Sequence, residues 1–125
     1  MDITVFTLQA NGDTGVELHQ PALEPLEQYE NLSLQGVTLA TIERPKVSLN
    51  VLKIAAGGHF GLHTPTPGFC QIMHGAGTIV LPGDRSVTYD GPGILYFEAG
   101  ARHGFDDVTE DTLLTICHFE LSTSP

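Results

Sequence analysis

Apolar and polar residues alternate in short runs along most of the chain, and the runs stop at glycine, proline or asparagine instead of continuing at helical spacing. Ile3 to Leu8 alternates in strand fashion and leads into Asn11-Gly12-Asp13-Thr14-Gly15, residues that tolerate the positive φ of a turn. Gly36 to Glu43 and Lys46 to Ala55 predict two longer strands flanking Arg44-Pro45, the second setting Val47, Leu49 and Val51 on one side. After Gly57 the pieces shorten. Strands are expected near His59 to His63, Phe69 to His74, Gly77 to Leu81, Ser86 to Tyr89, Ile94 to Phe97, Arg102 to Phe105 and Thr112 to Leu121. Turns such as Pro82-Gly83-Asp84 and Asp90-Gly91-Pro92-Gly93 separate several of them. Between Pro21 and Asn31, Leu23, Leu26 and Tyr29 recur at helical spacing, but Pro25 interrupts them, so this stretch predicts a loop or a short helix. About nine strands without a convincing helix predict an all-β jelly-roll sandwich or closed barrel.

Composition narrows the picture. The 125 residues carry 14 glycines and 8 prolines, the punctuation of a strand-and-turn chain, and are enough for one domain with one core. Five Lys+Arg against fifteen Asp+Glu leave a formal charge of −10, which repels nucleic-acid phosphates and anionic membrane surfaces, so neither is an expected partner. The first ten residues show no basic patch followed by an apolar run, and no apolar stretch approaches the length of a bilayer span, which predicts a soluble, cytoplasmic protein. Cys70 and Cys117 both lie in apolar strand-like runs and are expected as buried free thiols. Ser122 to Pro125 reads as a free tail.

Three of the six histidines sit where they can converge. His59 and His63 are four apart, an even spacing that puts both, with Gly61 between them, on one face of a strand, and Gly57, Gly58, Gly61, Pro65 and Pro67 argue against a helix there. His103 follows the turn Glu98-Ala99-Gly100-Ala101. Three neutral imidazoles can hold a transition metal and leave positions open for water or substrate; the alternative for each is a structural histidine hydrogen-bonded to backbone. Gln71, Met73, Tyr96 and Phe105 are candidate walls of an apolar cavity, or simply core. His118 either points inward or is a satisfied core histidine, His74 is expected at the surface, and His19 is given no role. Arg102 is either a clamp for a carboxylate-bearing substrate or, more simply, a solvated charge. Asp106, Asp107, Glu110 and Asp111 form an acidic run that reads as a solvated loop. No Ser-His-Asp pattern, phosphate-cradling loop or dinucleotide fingerprint occurs.

Gly57 to Gly77 together with Gly91 to Asp107 resemble the two motifs of the cupin superfamily, the small RmlC-like jelly-roll barrels. Ile72-Met73-His74-Gly75-Ala76-Gly77 is similar to the apolar pair and glycines closing the first motif. Counting back, His63 takes the place of the family's second His, Gly61 that of its first, and Gly68 that of its Glu. Glu98-Ala99-Gly100-Ala101-Arg102-His103 resembles the second motif, with Glu98 in place of Pro and His103 at the ligand position. Cys70 shares the parity of the Glu position and is a further candidate wall residue, as a soft ligand, an oxidisable thiol or plain packing.

The resemblance implies a single cupin domain over residues 1–125, with 1–35 as an amino-terminal strand and loop arm and 47–121 as the core barrel carrying motif regions 57–77 and 91–107. It also implies a homodimer formed through an edge sheet and the residues before Gly36. Two functions follow. In one, His59, His63 and His103 hold a divalent transition metal, Fe, Zn or Ni with Mn also open, in a dioxygenase or isomerase acting on a small organic molecule. In the other, favoured by the missing Glu and first His, the barrel captures a small ligand without metal or catalysis.

Overall fold

The structure is a computed structural model that describes residues 2–29, 31–65 and 68–119. Among them are nine strands and no helix: β1 (Ile3–Leu8), β2 (Thr14–His19), β3 (Glu24–Pro25), β4 (Leu34–Arg44), β5 (Val47–His63), β6 (Gly68–Leu81), β7 (Arg85–Asp90), β8 (Gly93–Phe97) and β9 (His103–Phe119). The all-β expectation holds. The stretch after Pro21 forms the two-residue β3 and loop, because Pro25 can lie on a sheet edge but not inside a helix.

β5, β9 and β6 are long and bent, and each contributes to two layers. In one layer the order is β4, the first half of β5, the second half of β9, the first half of β6, and β8. In the other, Phe60 and His63 of β5 pair with Phe105 and His103 of β9, Thr78 to Val80 of β6 pair with Gly104 to Asp106, and β7 closes the edge. The register shifts between Ile54 and Phe60 in β5 and between Ile72 and Thr78 in β6, where the strands turn from one layer to the other.

These bends explain why the expected short strands merge into long ones. Gly57, Gly58, Gly61, Gly75 and Gly77 lie inside strands, not at their ends. Gly75 shows the requirement: its φ is 125°, and a Cβ built on it would lie 2.6 Å from the Cα of Thr112, so β6 and β9 touch through backbone there. The acidic run is likewise strand, not loop. Asp106 to Asp111 lie within β9, and Asp107 takes a left-handed φ of 47° at the bend, a conformation Asp tolerates.

Both layers feed one core. Leu52, Ile54, Cys70, Ile72 and Leu114 from the first pack in one cluster with Phe60, Ile79, Phe105 and Val108 from the second. Full burial of each large apolar side chain contributes about 1.5–3 kcal/mol, which is what holds the two layers together. β1 and β2 form a separate two-stranded sheet, tied to the end of β4 by the contact between Arg44 and Glu17. The main sheet takes in β4 and β3 as well as the strands from Val47 onward. Cys70 and Cys117 are free thiols as expected, but only Cys70 is buried and Cys117 is half-exposed.

Candidate functional site

Between the layers lies a cavity of about 110 Å³. Leu39, Leu52, Leu114 and Ile116 wall one side, Phe60 and Phe105 the other, and Leu26, Tyr29 and Pro65 from loops complete it. Its polar side chains are Asn50, Cys70 and His118 from the first layer, His63 and His103 from the second, and the phenol of Tyr29, with no Lys, Arg, Asp or Glu among the described lining residues.

His63 and His103 face each other across the β5–β9 ladder as a directly paired register, with ring centroids 4.5 Å apart. Each Nδ1 lies within hydrogen-bond distance of a backbone carbonyl two residues back, 3.0 Å to Gly61 for His63 and 3.3 Å to Ala101 for His103. A carbonyl only accepts, so each Nδ1 carries a proton, and in the neutral ring of His103 Nε2 is left as the accepting nitrogen. Aromatic rings surround the pair. Phe97 stacks flat on His103 at 3.7 Å and 2°, while Phe60 and Tyr29 pack on His63 at 4.2 and 5.5 Å. His103 is only 5% exposed. Burial first, and the neighbouring His63 second, push its pKa down from 6.5 to about 4, so the ring is neutral at pH 7 and a weak base.

The structure brings Cys70, Phe105 and His118 into this cavity along with His63 and His103. It does not bring His59. Phe60 and His63 both face inward although they are three apart, an odd spacing that the register shift between them permits. His59, next to the inward Phe60, therefore lies on the opposite face, where its Nδ1 sits 3.4 Å from Asp106 Oδ1. Gln71, Met73 and Tyr96 also lie outside. β6 alternates with Gly68, Cys70 and Ile72 buried and Phe69, Gln71 and Met73 exposed, and Tyr96 pairs with the outward Phe69 while its neighbour Phe97 turns in. His74 is exposed, as expected, and its Nδ1 lies 3.2 Å from the carbonyl oxygen of Asp111. Arg102 is exposed. Phe97, Tyr29 and Asn50 escaped the sequence reading. Pairing of β8 with β6 would have exposed Phe97 as an inward residue, but strand partners are not written in local alternation.

The donors among the described residues do not make a metal site of the kind the resemblance implies. Among the described residues no three His, Cys, Asp or Glu side chains gather. His63 and His103 are two imidazoles. Burial pushes the Cys70 thiol up to about 12, so it is no thiolate. The two other motif positions are glycines whose surroundings leave little for a side chain to do. A Cβ on Gly68 would fall 2.4 Å from the carbonyl oxygen of Cys117, and one on Gly61 would point at Leu32 and Ser33 instead of the cavity.

No family model matches the sequence, and no curated protein matches it. Solved structures do. The cupin domain of Schizosaccharomyces pombe Cnp3 matches with a TM-score of 0.62 at 15% identity, over 95% of this chain and 88% of that one. A cupin 2 conserved barrel domain protein from Rhodopseudomonas palustris gives 0.65 at 16%, over 97% and 83%. The polyketide cyclase RemF from Streptomyces resistomycificus gives 0.64 at 17%, over 84% of each chain.

Proposed function

Starting from a chain with the cupin fold, we propose that it is a binding barrel that captures a small organic molecule in its interior without a metal ion. The observation that carries this reading is the cavity itself: an apolar, aromatic-walled space between the layers whose described residues bring two imidazoles together where the fold's metal chemistry would need three or four donors. Apolar burial supplies affinity and the few polar atoms supply orientation. A weakly basic His103 is suited to accept a hydrogen bond and poorly suited to abstract a proton near pH 7. Fold similarity to a polyketide cyclase fits a barrel that holds organic molecules, and the activity of that protein is not carried over.

Elemental analysis of protein purified without tag or chelator, followed by calorimetric titration with Zn²⁺, Ni²⁺ and Fe²⁺, tests the reading. The expected result is no stoichiometric metal and no saturable binding assigned to the cavity. Near-stoichiometric metal that disappears in both His63→Ala and His103→Ala would overturn it in favour of the metalloenzyme.

A further inference from the structure

The cavity also constrains what kind of molecule it takes. We propose that its ligand is a neutral, single-ring compound bearing a hydroxyl, held by a hydrogen bond donated to Nε2 of His103, and that carboxylates are rejected. The inference rests on the binding-barrel reading above and adds a ligand class to it.

Four observations lead there. The first is size. A space of about 110 Å³ accommodates roughly one six-membered ring; for scale, an apolar cavity of about 150 Å³ elsewhere binds benzene. The second is the wall. Phe60, Phe97, Phe105 and Tyr29 offer faces and edges to a ring, the contacts aromatic groups prefer. The third is charge. A carboxylate entering this cavity would lose its water and meet no lysine or arginine among the described lining residues to balance its charge. The fourth is the direction of the hydrogen bond. Because the Ala101 carbonyl fixes the proton of His103 on Nδ1, Nε2 accepts and cannot donate, so a bound group must bring its own hydrogen.

His118 adds a second polar point. Its Nδ1 is buried on the cavity wall with no hydrogen-bond partner among the described residues. A buried polar atom in that state gains from a ligand that supplies one.

The test uses the full chain at pH 7.5 and three probes of one ring each: phenol, toluene and benzoate. Calorimetry or ligand-observed NMR is expected to show phenol binding about tenfold tighter than toluene, the worth of one well-placed buried hydrogen bond, with benzoate weaker than both. His103→Phe is expected to erase the preference for phenol while toluene still binds. Should that variant unfold, the wild type carries the test alone: the ¹⁵N resonance of His103 Nε2 shifts on adding phenol and not on adding toluene. Toluene or benzoate matching phenol, or an Nε2 resonance indifferent to phenol, overturns the ligand class and leaves the binding barrel standing. If none of the three binds up to its solubility, the binding reading falls and the ligand class with it.

Discussion

On the inner face of the β8–β6–β9 sheet, Cys70, Ile72 and Leu114 are at most 1% exposed; one residue away, on the outer face, Phe69 is 50%, Met73 44% and Ile94 74% exposed. Both faces are apolar in composition. Phe69 and Tyr96 pack on each other outside, with centroids 5.0 Å apart, while Phe97 stacks on His103 inside. Hydrophobicity alone therefore does not tell which face builds the cavity. Strand pairing decides it: Gly68 pairs with both Phe97 and His118, and that register turns Phe97, His118 and Cys70 inward together.

The two cysteines give the widest contrast. Cys70 is inside, with its thiol pushed from 9.0 up to about 12, and Cys117 is half-buried on the outer surface. Such a shift lowers the thiolate fraction of Cys70 about a thousandfold at pH 8, so iodoacetamide is expected to label native Cys117 at least about a hundredfold faster, as read by peptide mass spectrometry. Equal labelling would mean the inner face opens to solvent.

Truncation probes the same divide energetically. Leu114→Ala removes a fully buried side chain and is expected to cost about 3 kcal/mol in urea denaturation, whereas Ile94→Thr, on the outer face, stays within about 0.5 kcal/mol. Comparable losses at both sites would show the outer face to be covered in solution.

Acid sharpens the comparison at the histidines. The unfolded chain takes up a proton at His103 near pH 6.5, but the folded chain does so only near pH 4. Stability is therefore undiminished by this group above pH 6.5 and falls as pH drops from 6.5 to 4, by on the order of 3 kcal/mol. His103→Phe is expected to flatten that part of the profile. A slope unchanged in the variant would assign the acid sensitivity elsewhere. The smallest effect belongs outside: His59→Ala breaks only a half-exposed contact with Asp106, and a change of less than about 0.5 kcal/mol and no effect on phenol binding are expected.

How much of this was legible from the chain depends on where alternation survives. The β-rich class, the turns and the convergence of the stretches around His63 and His103 were legible, because turn residues and motif spacing are local signals. Facing was not. Parity counted from His63 back to His59 crosses the register shift after Phe60, and one extra residue reverses every orientation before it. Gln71 and Met73 flank inward residues of β6 and so point out, which the alternation around Cys70 contains once one inward residue is known. Phe97 and Tyr29 depended on tertiary pairing, which no local pattern encodes.

Gly68 has a consequence for how this site can change. Where a side chain would begin, the backbone of β9 already stands, with the Cys117 carbonyl 2.4 Å from the would-be Cβ and His118 Nδ1 at 3.2 Å. A Gly68→Glu replacement would have to displace a strand before it could offer an oxygen to an ion. The path from this barrel to a carboxylate-bearing centre thus needs at least two coordinated changes, one to make room and one to fill it, and intermediates along it would be less stable than either end. Mutational drift can readily enlarge or reline the pocket through its apolar walls; gaining a carboxylate at that position is the step the backbone resists.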